Sequence, residues 1–458
     1  MTRGTPATSG TLGLAAIAAY AAPAFATQFI NAPFTNILPG MYAKYWGLDM
    51  GAIAVALLAA RIFDAVTDPL VGTLSDRTRT RLGSRKPWML AGVALTALSA
   101  WFVYVPPQAP GLAHLIVWSM LFYLGWTMIE IPHTAWGAEL TDDYTTRSRV
   151  FLLKTLAAVG GTLCMVLVPL LPFFESKEMT PEVMRAIAVL FILGAPLCIG
   201  VAVLFAPEGM PAPSKENRTD IWIFVKTIAS NRPFLRFVAA FLVNGFAAGM
   251  NGVMQYIYLD SYLKLGAGVS YALGAGIVLA LAGLPVWYIL MQRLGKHRAW
   301  SLSLALAGMS VLLPVFLTPG EGALVPYMMM VSVLALCSGA GLVAPYSVLA
   351  DIVDYDRLRT GANRAGAYFA LFLLFVKANV ALGGAAAFAL LGASGYSAAQ
   401  TENTVMAEWG LKAAYAIIPA VLFIASSAIL WTFPLDARRH AIIRRRLDRR
   451  AKAGNPSA

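Results

Sequence analysis

Long uncharged apolar runs dominate this chain and leave it few ways to fold. Met89 to Tyr104 and Ala186 to Phe205 contain no Asp, Glu, Lys or Arg, and such runs approach or exceed the roughly 20 residues that cross a bilayer as a helix. About twelve of them, separated by charged or Pro/Gly-rich breaks, are centred near Ala26, Leu58, Leu95, Phe122, Val159, Leu193, Ala247, Leu279, Leu306, Leu334, Leu374 and Leu422. Of the 458 residues, 59% are hydrophobic and 13% charged, against roughly 45–50% and about 25% in a soluble domain. A chain with so little polar surface cannot cover itself in water, so lipid is its expected solvent. Near the start, Arg3, an apolar stretch and Ala24-Phe25-Ala26 imitate a signal peptide with its cleavage site. Hydrophobicity continues to about Tyr45, however, which predicts a retained first helix.

Lys and Arg set the expected orientation. They cluster after span two (Arg77, Arg79, Arg81, Arg85, Lys86), span four (Arg147, Arg149), span eight (Arg293, Lys296, Arg298) and span ten (Arg357, Arg359, Arg364). The positive-inside rule places these even-numbered loops, and so both termini, in the cytoplasm. The same rule accounts for the net charge of +12 without nucleic acid. Cys164, Cys198 and Cys337 lie inside apolar runs without metal-ligand spacing and are expected to pack as small hydrophobes.

The longest polar break falls near the middle of the chain, and the basic loop after span two has a counterpart after span eight. The expected organisation is therefore all-α, with twelve transmembrane helices in two pseudo-symmetric six-helix bundles at 1–206 and 232–435. A cytoplasmic linker at 207–231 joins them and a basic tail follows at 436–458. Repeats of this kind are common in transporters that rock one bundle against the other.

The sharpest chemical feature is Arg61-Ile62-Phe63-Asp64-Ala65-Val66-Thr67-Asp68-Pro69, inside the second span. Asp64 and Asp68 are four residues apart and share one helix face, with Thr67 beside them. Charges at membrane depth cost roughly 2.5–3.5 kcal/mol each and usually face a cavity with a partner. Two carboxylates and a hydroxyl are suited to a hard cation; without one, repulsion and desolvation favour protonation of at least one acid. The structural alternative is that Arg61 neutralises Asp64 while Asp68 interacts with the helix end and the basic loop after it. Gln28, Thr127, Glu130, Lys154, Asn244, Asn251 and Lys377 lie at similar depth. Lys377 requires an anion, from a ligand or from a residue such as Glu130 or Asp64. Asn244 and Asn251 equally suit interhelical hydrogen bonds.

These residues occur within ordered motifs. The first half holds the span-two segment through Gly72, the loop ending Gly83-Ser84-Arg85-Lys86-Pro87-Trp88, and Glu130-Ile131-Pro132 leading into Gly137-Ala138-Glu139-Leu140-Thr141. The second half holds Ala350 to Gly361, Arg364-Ala365-Gly366, Lys377 and Gly383-Gly384. Over nearly its whole length the chain resembles the glycoside-pentoside-hexuronide:cation symporters of the major facilitator superfamily, which include melibiose permease and sodium-dependent lysophospholipid carriers of animals. The resemblance implies the major facilitator fold and a cation-binding site at Asp64, Asp68, Thr67 and Thr127, with Na⁺ assigned to Asp64 and Asp68 and H⁺ the second choice. It implies solute contacts at Glu130, Lys154 and Lys377; Gln28 and Thr134, at positions where relatives contact the sugar, and Asn244 and Asn251, polar at similar depth, complete the candidate solute site. It also implies cytoplasmic gating segments containing Asp76, Arg77, Arg81, Arg85, Asp351, Asp354, Arg359 and Arg364. Positive-inside topology alone would explain those arginines but not the aspartates.

The departures bear on the solute. Thr27 and Gln28 stand where sugar-transporting relatives place a Lys-Asp pair; their sugar-contacting tryptophans fall near Thr134 and Leu342; Phe372 and Leu373 precede the span-eleven lysine. The expected function is cation-coupled symport of a small solute, by resemblance a glycoside or other carbohydrate, with an amphiphile such as a lysophospholipid as the alternative. A monomer in a bacterial inner membrane, with the lipid bilayer, solute and coupling cation as partners and no cofactor, completes the expectation. Of the rivals from other classes, a membrane-embedded enzyme lacks a motif here, because His114, His133, His297 and His440 are dispersed and no HExxH, CxxC or GxSxG occurs. A non-transporting sensor or channel stays open.

Overall fold

The computed structural model describes residues 12–141, 143–209, 230–361, 364–400 and 402–454. Most of the expected linker, together with Arg3 and the last residues of the tail, lies outside them. Among the described residues, twelve helices are long and apolar enough to cross a membrane. They are α1 (Leu14–Asn36), α2 (Met50–Arg77), α3 (Lys86–Tyr104), α4 (Leu112–Glu139), α5 (Thr145–Leu170), α6 (Pro181–Phe205), α7 (Arg232–Tyr262), α8 (Gly268–Leu294), α9 (Lys296–Phe316), α10 (Leu324–Thr360), α11 (Ala365–Ser394) and α12 (Val405–Trp431). Each contains one of the twelve expected centres. Lipid supplies no hydrogen bonds, so a spanning segment must satisfy its backbone internally, and the helix does this. A further helix, α13, spans Ala437–Gly454.

The first span is shorter than its hydrophobicity predicts. α1 runs through Ala24-Phe25-Ala26 and buries both alanines, but its cap is Ile37, whose N–H bonds the Pro33 carbonyl. A separate short helix covers Leu38–Tyr45. Pro39 accounts for the break, since proline lacks an amide hydrogen and its ring clashes with the carbonyl four residues earlier.

The chain forms two compact units. Unit 1 comprises Met1–Met41 and Ala59–Lys215, and unit 2 comprises Tyr42–Leu58 and Glu216–Ala458. The segment Tyr42–Leu58, placed with the first bundle by chain order, packs with the second. In unit 1, α1 packs on α5 and α6, and α3 on α4 and α6. In unit 2, α7 packs on α11 and α12, α8 on α10, and α9 on α10 and α12.

Apolar burial drives little association between helices in lipid, so close approach and interhelical hydrogen bonds do the work. At the α7–α11 crossing, a Cβ on Gly383 would collide with the main-chain oxygen of Phe246, and one on Gly245 with the side chain of Asn379. Between α9 and α12, Ser301 Oγ donates to the Ser427 carbonyl at 2.6 Å and Ser427 Oγ to the Ser301 carbonyl at 2.8 Å. Gly383→Val should therefore separate α7 from α11 and lower stability by about 2 kcal/mol or more, as overpacked cores do. Thermal unfolding of the purified protein in detergent reads this, with Gly366→Val, at a position whose Cβ would meet nothing, as the neutral control.

Candidate ion and solute site

Within unit 1 the helical pitch brings Asp64, Thr67 and Asp68 of α2 to one face, opposite Thr127 of α4. Asp64 is 1% exposed and Thr127 is fully buried. Thr127 Oγ1 lies 3.0 Å from Asp64 Oδ1 and 3.0 Å from Asp68 Oδ1. A hydroxyl carries one hydrogen, so it donates to one carboxylate at a time. The second close oxygen pair requires a compensating proton or positive charge. Arg61 supplies part of that charge: its Nη1 is 3.5 Å from Asp64 Oδ2, and its guanidinium lies over the Tyr123 ring at 4.3 Å. Thr67 gives its hydroxyl proton to the Asp64 main-chain carbonyl at 3.3 Å, leaving oxygen lone pairs as what it can offer a ligand.

α4 carries a stripe of contacts. Tyr123, Thr127, Glu130 and Thr134 follow at spacings of four, three and four, which keep them on one helix face. Lys154 of α5 donates to Glu130 Oε1 at 2.6 Å and to Thr134 Oγ1 at 2.6 Å, and Thr134 donates to the same Glu130 oxygen at 3.2 Å. Three of the residues expected at the solute site are thus joined in one cluster, about one turn from Thr127. α4 is also clasped to α1: Tyr20 donates to the His133 carbonyl at 2.9 Å, and His133 Nε2 lies 2.7 Å from the Tyr20 carbonyl. A carbonyl only accepts, so Nε2 carries the proton.

The remaining candidates are placed separately. Gln28 is half-buried on α1, and Asn244 on α7 and Lys377 on α11 have similar exposure. Asn251 donates its amide to the Tyr415 carbonyl at 2.9 Å and so ties α7 to α12, the interhelical role that its type also allowed.

The expected gating residues fall into local networks. Arg85 pairs with Asp76 and with Glu139, the latter at 2.6 Å. Burial opposes the charge on Arg85, but these acids outweigh it and raise its pKa above the ordinary arginine value. Among the described residues, Arg77 and Arg81 are exposed and form no ion pair there. In unit 2, Asp351 pairs with Lys296 at 2.7 Å. Asp354 meets His440 at 3.0 Å and Arg444 at 3.3 Å, both on α13. Arg359 donates to the Ser230 carbonyl and hydroxyl, and Arg364 lies 3.9 Å from Asp356. Glu139, Lys296, His440 and Arg444 complete these networks. Glu139 stands in a quoted motif at the end of α4, and Lys296 in the basic cluster at the start of α9; those positions were the available signal.

With this geometry in view, comparison with known proteins is decisive for the family. The family model described as MFS/sugar transport protein matches residues 19–437. The chain belongs to that family. An inner membrane symporter of Escherichia coli is 27% identical over 416 residues, covering 86% of this chain and 87% of the relative. A glucuronide carrier protein homolog of Escherichia coli is 24% identical over 452 residues, covering 95% and 96%. A mouse sphingosine-1-phosphate transporter is 24% identical over 438 residues, covering 86% and 84%. The crystal structure of the nucleoside transporter NupG superposes with a TM-score of 0.67 at 11% identity, covering 93% of this chain and 100% of the other. The protein is a multi-pass membrane protein of major facilitator fold, related to transporters and not to enzymes, as its resemblance to the glycoside-pentoside-hexuronide:cation symporters implied.

One ionic feature of this family member lies outside every expected site. Lys44, from the short helix Leu38–Tyr45, reaches Asp260 of α7 at 2.6 Å, where the carboxylate side chain is 1% exposed. Burial pulls the Lys44 pKa down, but the hydrogen bond and charge of Asp260 outweigh it and leave the value raised. Both residues belong to unit 2. The π-turn Ile257–Tyr262 aims Asp260 inward, a backbone detail without a signal in the sequence. Lys44→Met leaves an uncompensated buried carboxylate and should destabilise by roughly 3–5 kcal/mol, whereas Lys44→Met with Asp260→Leu should recover most of the loss. A double-mutant cycle in thermal unfolding measures this, and additive losses would show that the pair is not coupled.

Proposed function

We propose that the protein is a cation-coupled symporter that moves a small organic solute by alternating access. The observation that carries this reading is the approach of two carboxylates, Asp64 and Asp68, to the single hydroxyl of Thr127. Such a site changes its affinity for α4 when a Na⁺ or H⁺ arrives, because the ion relieves the oxygen–oxygen repulsion. Na⁺ would take oxygens of Asp64, Asp68, Thr127 and Thr67, a hard-ligand set. H⁺ would instead make one carboxyl a donor.

The coupling route is α4. An ion that fixes Thr127 also fixes Glu130 and Thr134 on the same face, and with them the ammonium of Lys154. A solute that engages this cluster and the ion that orders it then raise each other's affinity, as linkage requires. By family description and by likeness to the glucuronide carrier protein homolog, the solute class is a glycoside or other carbohydrate. Exposed apolar side chains at Leu342 and Leu373, and the sphingosine-1-phosphate transporter among the relatives, support an amphiphilic, lipid-like solute as the second reading. Lysine and arginine in the even-numbered loops support a bacterial inner-membrane location with both termini cytoplasmic, and the two-bundle organisation supports a monomer.

Thermal unfolding in detergent, titrated with NaCl against choline chloride at several pH values, tests the ion site without a known solute. At about 100 times its Kd, Na⁺ should stabilise the wild type by roughly 2.7 kcal/mol, and Asp68→Asn should abolish the effect. Thr127→Val should raise the Na⁺ Kd about tenfold, in line with loss of one charge-assisted contact. A pH effect without a Na⁺ effect, lost in Asp68→Asn, would assign the proton. Insensitivity to both ions in the wild type would sink the coupling site, and absence of counterflow in proteoliposomes for any solute of either class would sink symport.

A further inference from the structure

A strongly basic groove lies in unit 2, lined by none of the expected ion or solute residues. The first turns of α7, the end of α10 and helix α13 border this open space of about 520 Å³. Arg232 and Arg236 of α7 and Arg439 and Arg446 of α13 line it, and its lining includes no carboxylate. Arg236 donates to the Thr432 carbonyl at 2.9 Å and Arg439 to the Pro434 carbonyl at 2.6 Å. These contacts hold the two guanidinium groups in place, and Asp436, which accepts the Arg439 main-chain N–H at 2.8 Å, offsets part of the Arg439 charge.

Helix α13 separates its charges by face. His440 and Arg444, four residues apart, meet Asp354. Arg439, Ile442 and Arg446 recur at spacings of three and four on the groove side. Asp354 of α10 is therefore taken up on one face of α13, while the groove keeps like charges together with apolar walls from Leu358 and Ile442. Four exposed guanidinium groups around one groove leave a positive excess that attracts an anion, and arginine pairs with phosphate oxygens in bidentate fashion. An apolar wall beside a cationic rim at the ends of spanning helices matches an acyl chain joined to a phosphate.

We propose that this groove is a binding site for the headgroup of an anionic membrane phospholipid, which clamps α13 to α7 and α10. The ligand is a lipid phosphodiester carrying net negative charge. The site is independent of the transport reading and would exist in a non-transporting relative.

The test uses the full-length protein in a neutral detergent. Mixed micelles containing phosphatidylglycerol are compared with phosphatidylethanolamine of the same chains, reading lipid retention by native mass spectrometry and the thermal midpoint in parallel. Phosphatidylglycerol should be retained and should raise the midpoint, and Arg236→Gln with Arg439→Gln should weaken its binding about tenfold. Arg445→Gln with Arg449→Gln, a pair on α13 outside the groove, should change it less than about twofold. Arg236→Lys with Arg439→Lys keeps the charge and should bind at an intermediate level, which separates lost binding from misfolding. Equal losses in the groove pair and the outside pair would reduce the effect to diffuse charge attraction and overturn the site. So would equal retention of phosphatidylethanolamine, or inorganic phosphate reproducing the shift at the same concentration.

Discussion

A charge held away from water must have a counter-charge within a few ångströms, and this constraint organises the molecule. Isolated ions at membrane depth are costly, so the charges described here occur in pairs and clusters: Asp64 with Arg61, Glu130 with Lys154, Asp260 with Lys44. Such pairs add little net stability, because desolvation cancels most of their attraction, but losing one partner is expensive. They consequently act as constraints on geometry. The pair at Thr127 differs because two acids approach one hydroxyl, the arrangement on which the proposed ion site rests.

The helices can hold such sites because their crossings are tight. Gly383 lets α11 meet the backbone of α7 and Gly245 makes room for Asn379, and the reciprocal Ser301–Ser427 contacts close α9 on α12 without any charge. α4 is locked to α1 at Tyr20 and His133, only a turn from the Lys154 cluster. A shift of Thr127 is thus opposed by neighbouring contacts unless α4 moves as a body, so the stripe from Tyr123 to Thr134 transmits position over about 16 Å at 1.5 Å per residue.

Spans, their number and the acidic pair were legible in the sequence because hydropathy and helical spacing are local properties. Asp64, Asp68, Thr127, Glu130 and Lys154 could be nominated because a polar group inside an apolar run is conspicuous. Their grouping was less legible: that Thr134 joins Lys154 and Glu130, or that Asn251 is spent on the Tyr415 carbonyl, depends on which helix faces which. The break at Ile37 was locally encoded by Pro39 yet masked by the unbroken hydrophobicity through Tyr45. Lys44 stood in plain view as a charge beyond the first span, but its partner lies 216 positions away in a π-turn. No periodicity marks such a turn, and a carboxylate near the end of a span looks like any interfacial acid.

The first residues of α2 and the rest of it are grouped with different units. The segment Tyr42–Leu58 packs within unit 2, while the rest of α2, from Ala59, packs within unit 1, yet Met50 to Arg77 is one continuous helix. From Met50 to Asp64 is about 21 Å along its axis. Asp64 therefore shares one continuous helix with Met50 to Leu58, whereas Lys44 lies on the separate short helix before it. Rotation of α2 by a single residue's 100° would remove both Asp64 and Asp68 from Thr127.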